Sequence, residues 1–196
     1  VKTVSFMMLI TLFGKILGMV REQLLAANYG TDMQAAAFLL ASRIPRTFFD
    51  VIFASAISAS FIPVFVEYLQ KKGRQEAFSL ANRFITMIST VTLLMMLLGM
   101  AFAKPLTLLI APGYDVETVT LCVGLLRMLF PTMLFTAVAF SFVGILQSLE
   151  EFNVPAALSV VSNGVLILYY IFFNEKFGIL GLTVAFLIGW AMQAVI

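Results

Sequence analysis

Three charged side chains interrupt the first apolar stretch of the chain, and together they could bind a polar ligand. Lys15, Arg21 and Glu22 lie in the segment TLFGKILGMVREQLLAANYG. On a helix these side chains share an arc of about 120° with Gly14 and Gly18, and the opposite side is apolar. A charge at the centre of a bilayer costs at least about 2.5 kcal/mol. The stripe is therefore expected to face protein or water.

A second group of charges follows in the segment ASRIPRTFFD. On a helix, Arg43, Arg46 and Asp50 lie within about 60° of one another. Arg46 and Asp50 are four residues apart and can neutralise each other, whereas Arg43 has no local partner. The two segments together supply four cations and two carboxylates. This excess of positive charge predicts an anion-binding site.

A purely structural account of these charges stays open. Arg21 and Glu22 can extend from the end of a helix toward the interface, and Lys15 can pair with an acid elsewhere. The spacing of Gly14 and Gly18 is the small-xxx-small pattern that lets two membrane helices approach closely. This pattern places the charged face of the first helix against another helix under either account.

The sequence contains no motif for catalysis, metal binding or nucleic-acid binding. The chain has no histidine and one cysteine, Cys122, which is expected to be a small buried apolar residue. It lacks a phosphate-binding glycine loop, a nucleophile elbow and any metal-ligand motif. We therefore expect no enzyme, no cofactor and no bound metal. We also expect no nucleic-acid partner, because the basic residues serve membrane topology first.

The rest of the chain has the composition of a membrane-spanning frame. Hydrophobic residues make up 62% and charged residues 11%, against about 25% charged residues in a soluble domain. A helical crossing takes roughly 20 residues. Four stretches of that length contain no Asp, Glu, Lys or Arg: 84–103, 128–149, 152–174 and 177–196.

The sequence predicts an all-α integral membrane protein with six transmembrane helices. The second is expected to bend near Pro45 and Pro63, since proline removes a backbone hydrogen-bond donor. In the later helices, Arg127 is expected to extend toward the interface, and Asn163 and Gln193 are isolated polar residues in scaffold helices. The predicted helices span 3–28, 33–70, 76–110, 116–149, 153–174 and 177–196.

Basic residues predict the orientation of the helices. The connection between the second and third helices holds Lys71, Lys72, Arg74 and Arg83, more cations than any other loop. Loops rich in Lys and Arg stay in the cytoplasm. With six crossings, both termini are then cytoplasmic.

The order of these features resembles a known transporter family. The most specific pieces are the Gly18, Arg21 and Glu22 set, the APGY turn and the run from Gln147 to Asn163. The chain is similar throughout to the N-terminal half of the lipid II flippase family MurJ (MviN) of the multidrug/oligosaccharidyl-lipid/polysaccharide exporter superfamily. The matching segments are GKILGMVREQLLAANYGT, AFLLASRIP, ASAISASFIPVFVEY, LIAPGY, LLRMLFPTMLFTAVAFSFVGILQSLEEFNVPAALSVVSN and FGILGLTVAFLIGWAMQ.

The resemblance implies that residues 1–196 form a single six-helix lobe, which packs against a second lobe around a cationic cavity. The family moves an undecaprenyl-diphosphate-linked peptidoglycan precursor across the bacterial inner (cytoplasmic) membrane by alternating access, in cell-wall biogenesis. Lys15 and Arg21 match the two basic residues of the first helix that line the family's cavity. The expected substrate-binding residues are Lys15, Arg21, Arg43 and Arg46, supported by Gly14, Gly18, Glu22 and Asp50.

The chain departs from the family pattern in its second helix. The family usually has an aspartate at the position of Ala36 and an arginine at the position of Phe49, which here is followed by Asp50. Arg43 or Arg46 would replace that arginine from a neighbouring turn.

The resemblance implies a partner for such a lobe, which is expected to be either a missing C-terminal half or a second copy of the chain. Because an exposed polar face is costly in lipid, a stable 196-residue product is expected to form a homodimer, face to face through its first two helices. Two other functions remain open: a non-transporting membrane scaffold or partner subunit with buried interhelical charge pairs, and a multidrug exporter of the same superfamily.

Overall fold

All elements of the described chain are helical. The structure is a computed structural model that describes the backbone of residues 2–195 and the side chains of residues 7–53 and 55–195. Positions 1 and 196 of the predicted lobe lie outside the described residues. The nine α-helices of the described range are α1 (Lys2–Tyr29), α2 (Met33–Phe49), α3 (Ile62–Lys71), α4 (Arg74–Ala101), α5 (Ala103–Ile110), α6 (Val116–Leu129), α7 (Thr132–Ser148), α8 (Asn153–Phe172) and α9 (Asn174–Val195).

Five helical stretches of the described residues are long and apolar enough to cross a bilayer. They are Met33–Lys71, Arg74–Ala101, Val116–Ser148, Asn153–Phe172 and Asn174–Val195. The prediction of an all-α, multi-pass membrane protein is confirmed. The predicted sixth crossing rests on α1, which is 28 residues long but carries three charges along its described side chains. The count of six crossings and the cytoplasmic placement of both termini stay predictions.

The helix from Met33 to Lys71 changes geometry after Pro45, where a bend was predicted. The α-helix continues through Pro45 to Phe49, and two π-helical segments follow, Asp50–Ala54 and Ile57–Phe61. Pro63 then stands at the start of α3. Proline has no N–H to donate and its ring crowds the carbonyl four residues earlier, so one α-helical hydrogen bond is lost at Pro45 and one at Pro63, on either side of the π-helical segments.

Two predicted helices are each divided in the structure. The range predicted as 76–110 breaks at Phe102, whose φ of −93° and ψ of 15° lie outside the α-helical region. The range predicted as 116–149 breaks at Phe130 and Pro131, where proline again supplies no donor. Apolar composition does not show either break, because the sequence stays apolar on both sides of it.

The packing order of the helices differs from their order along the chain. α1 packs along α8 and has few contacts with α2, whereas α2 packs along α6. α9 lies between α8 and α7, and α4 packs against α7. The helix that the glycines of α1 were expected to admit is therefore α8.

A glycine break near the start of α9 is fixed by a tyrosine of α8. Gly178 has a φ of 53° and a ψ of −147°, a conformation that glycine adopts without the steric cost of a Cβ. The Tyr169 hydroxyl donates a hydrogen bond of 2.6 Å to the carbonyl of Gly178. A Cβ at Gly181 would overlap that hydroxyl. The short turn between α8 and α9 therefore depends on this contact.

Replacing Tyr169 with phenylalanine is expected to lower the free energy of unfolding by about 1 kcal/mol, because the Gly178 carbonyl loses its donor. Thermal unfolding in detergent micelles measures this change. Tyr170→Phe is the matched control: Tyr170 is the adjacent residue and equally buried, and the described residues show no hydrogen bond from its hydroxyl. Equal losses in the two variants would contradict the assigned role of Tyr169.

Candidate functional site

The position of α1 is set by close contact with α8. Gly14 is buried, and a Cβ at this position would overlap the Ser159 hydroxyl. At Gly18, the corresponding Cβ would lie 3.5 Å from the Asn163 side-chain nitrogen. The two glycines thus admit a neighbouring helix, as the small-xxx-small spacing indicates. That neighbour is α8.

Asn163 connects this contact to the charged stripe of α1. Its Nδ2 donates to the carbonyl of Gly14 at 3.1 Å, and its Oδ1 accepts a hydrogen bond of 3.1 Å from Nη1 of Arg21. Asn163 is only 7% exposed. Nη2 of Arg21 also donates to Glu22 Oε1 at 3.2 Å. The Arg21 guanidinium is therefore held from two sides.

The sequence identified Asn163 only as an isolated polar residue of a scaffold helix. Its role could not be found from its own segment, because its partners lie 142 and 149 residues away. A single amide in an otherwise apolar helix was the available signal, since a buried amide needs hydrogen-bond partners.

On α2, Arg46 and Asp50 form the predicted pair. Nε of Arg46 donates to both carboxylate oxygens of Asp50, at 3.1 and 2.9 Å. Arg43 is exposed, and within the described part of the chain it has no hydrogen bond or ion pair. Arg43 thus contributes an uncompensated positive charge.

The arginines of α1 and α2 line one groove between α1, α2, α7 and α9. The groove has a volume of about 200 Å³, and a smaller pocket of about 50 Å³ beside it shares Arg21 and Glu22. With three arginines and two carboxylates at the groove, counting Asp50 beside Arg46, the local formal charge is positive. The groove is lined by Arg21, Glu22, Leu39, Ser42, Arg43, Pro45, Arg46, Thr132, Met133, Thr136, Phe186 and Trp190.

Lys15 is not among the residues that line this groove. It lies on α1 six residues before Arg21, about 9 Å away along the helix axis. Its side chain is exposed and has no ion pair within the described residues. The structure therefore brings together the three arginines and the two carboxylates, whereas Lys15 stands apart on the same helix.

Two other polar residues have structural explanations. Arg127 donates from Nε to the carbonyl of Met100 at 3.2 Å, which satisfies a backbone acceptor at the end of α4. Cys122 is fully buried, as expected for a small apolar residue. Among the described residues, no group of three or more His, Cys, Asp or Glu side chains could hold a metal ion.

Three comparisons relate this geometry to known proteins. A family model described as "Lipid II flippase MurJ" matches residues 25–196. The probable lipid II flippase MurJ of Buchnera aphidicola subsp. Acyrthosiphon pisum is 31% identical over 189 residues, which are 94% of this chain and 37% of that protein. The lipid II flippase MurJ of Burkholderia cenocepacia is 26% identical over 187 residues, which are 93% of this chain and 36% of that protein.

A solved structure, lipid II flippase MurJ in an inward closed conformation, has the same fold. Its TM-score is 0.82 at 27% sequence identity, and the match covers 96% of this chain and 40% of that chain. These matches confirm the predicted family resemblance. The chain spans a little over one third of the length of the relatives that it matches.

Replacing Asn163 with leucine is expected to lower the free energy of unfolding by about 1–3 kcal/mol, because the partly buried Arg21 loses an acceptor and α1 loses a contact with α8. Urea or thermal unfolding in detergent measures the loss. Gln193→Leu is a matched control, since this buried amide has no hydrogen bond among the described residues. An unchanged stability in Asn163→Leu would show that the amide bridge does not hold α1.

Proposed function

The chain belongs to the lipid II flippase MurJ family, and on this basis we propose that it forms one lobe of a transporter for an anionic, lipid-linked glycan. The observation that carries this proposal is the convergence of Arg21, Arg43 and Arg46 on one groove. The substrate would be lipid II or a similar undecaprenyl-diphosphate glycan. The protein would act by alternating access, as a transporter and not as an enzyme.

The chemistry of a diphosphate fits this groove. Phosphate oxygens accept charge-assisted hydrogen bonds from arginine, and such contacts offset the hydration that a diphosphate loses when it is buried. Arg43 has no partner among the described residues, so all its donors are free for a ligand. Arg21 and Arg46 each use only part of their donors on protein groups.

Lys15 is proposed to extend the same binding surface along α1. Gly14 and Gly18 would support it by holding α1 against α8, and Glu22 and Asp50 would orient Arg21 and Arg46. In a bilayer the exposed Lys15 ammonium needs water or an anion beside it. A wall opposite α1 would enclose that water.

The partner that supplies this wall is proposed to be a second helical lobe. It would be either a C-terminal continuation of the chain or a second copy of it, and both would cover the polar face of α1 and α2. The assembly would lie in the bacterial inner membrane and act in peptidoglycan synthesis. The conformation named for the solved relative, inward closed, is one that an alternating-access cycle would contain.

Two other functions make different demands on the same residues. The Arg21–Asn163 hydrogen bond is the observation that favours a membrane scaffold, because it uses a charge to join two helices. A multidrug exporter with cationic substrates would need a free carboxylate. Both carboxylates at the groove are instead bonded to arginines.

Arg43→Ala is expected to weaken binding of lipid II to the purified chain about tenfold or more, since a hydrogen bond to a charged group contributes about 1.5–3 kcal/mol. Native mass spectrometry of the chain with lipid II measures the affinity. Arg83→Ala is the matched control, because Arg83 is exposed on α4 outside the groove. In a complementation assay for precursor export, Arg43→Ala should likewise lose activity and Arg83→Ala should keep it.

The scaffold function predicts the opposite pattern for Arg21→Ala. If Arg21 only joins helices, its replacement will lower thermal stability and assembly while lipid II binding to the folded fraction stays unchanged. Equal binding in wild type, Arg43→Ala and Arg21→Ala would refute the transport proposal.

A further inference from the structure

Arg46 combines an ion pair with two aromatic contacts. Its Nε donates to both oxygens of Asp50, at 3.1 and 2.9 Å. Its guanidinium carbon also lies 5.3 Å from the centroid of the Trp190 ring and 5.8 Å from that of Phe140. Both distances fall within the limit of about 6 Å for a cation–π contact. Three helices, α2, α7 and α9, thus meet at one guanidinium.

The two rings are themselves held in place. Phe140 packs edge to face on Phe49 at 5.4 Å, and Phe49 is fully buried. Trp190 lies 6.2 Å from Phe186, which contacts Phe38 of α2 at 5.8 Å. Aromatic contacts with such centroid separations are favourable beyond the area that they bury. The surfaces that flank Arg46 are therefore supported by other rings.

This arrangement decides which donors of Arg46 face a ligand. A guanidinium has five N–H donors in a planar fork. Asp50 occupies Nε, and the described residues offer no hydrogen-bond partner to Nη1 or Nη2. The edge formed by Nη1 and Nη2 is thus the one that can bind two phosphate oxygens side by side. The Arg46 side chain is 45% exposed and lines the groove.

We propose that Trp190 and Phe140 are positioning residues that hold Arg46 as the preorganised phosphate contact of the groove. This inference rests on the proposed function, because it assigns the anionic contact of the same site. An arginine side chain loses rotamer entropy when it is fixed in one position. Arg46 loses this entropy when the protein folds, whereas Arg43 loses it only when a ligand binds. Arg46 sets the place of the phosphate, and Arg43 adapts to it.

The contact between Trp190 and Arg46 can be tested without a ligand. Trp190 is the only tryptophan in the chain, so intrinsic fluorescence reports on this ring alone. Arg46→Ala is expected to shift or enhance the emission, because a cation leaves the face of the indole. Arg43→Ala is the matched control: Arg43 lines the same groove, but the described residues show no ring contact for it. Identical spectra for wild type and Arg46→Ala would refute the contact between Arg46 and Trp190.

The functional consequence is tested with undecaprenyl diphosphate as the probe, by native mass spectrometry of the purified chain. Trp190→Leu is expected to weaken binding about threefold to tenfold, in line with a partly exposed cation–π contact. Trp190→Phe should retain most of the affinity, since a phenyl ring keeps a negative face. Phe140→Leu should act like Trp190→Leu. Phe142→Leu, two residues further along α7, is the control for loss of a ring.

A double-mutant comparison separates positioning from a general structural role. If Trp190 acts through Arg46, Trp190→Leu will cause no further loss of affinity in the Arg46→Ala background. An equal loss in both backgrounds, or no loss in the wild-type background, would overturn the positioning role. The proposed function fails in a different way: Arg21→Ala, Arg43→Ala and Arg46→Ala would then all bind the probe as the wild type does, and the fluorescence result would still stand.

Discussion

The cost of placing arginine inside a membrane constrains the whole lobe. No arginine can lie against lipid at membrane depth without losing several kcal/mol of hydration, so each must find protein or water. Arg21 finds Asn163 and Glu22, and Arg46 finds Asp50 and two aromatic rings. Arg43 faces an open groove. Together the three arginines give the groove a positively charged surface.

The helix arrangement follows from these requirements. α1 can deliver Arg21 to the groove only because Gly14 lets it pack closely on α8, where Asn163 bonds to both its backbone and its charge. α9 similarly brings Trp190 to Arg46 after a break at Gly178 that Tyr169 of α8 holds. α8 therefore supports both walls of the groove, although it contributes no residue to its main lining.

The two breaks within α4–α5 and α6–α7 show where apolar composition is uninformative. The absence of charge predicts where a span lies, but a helix can end inside such a stretch without any change in its hydrophobicity. Phe102 and Pro131 end helices through backbone geometry and a missing donor. Similarly, two π-helical segments separate α2 from Pro63 at the start of α3. The spacing of apolar residues does not distinguish them from a continuous α-helix.

The sequence by itself determined the membrane class, the family and the charged stripes of the first two helices. It did so because hydrophobicity, charge and helical spacing are local properties. Only the tertiary structure decided that α8 is the neighbour of α1, that Asn163 holds Arg21 and that Trp190 lies against Arg46. These contacts join residues separated by more than 140 positions. Their geometry depends on how all the helices pack, so no single segment contains it.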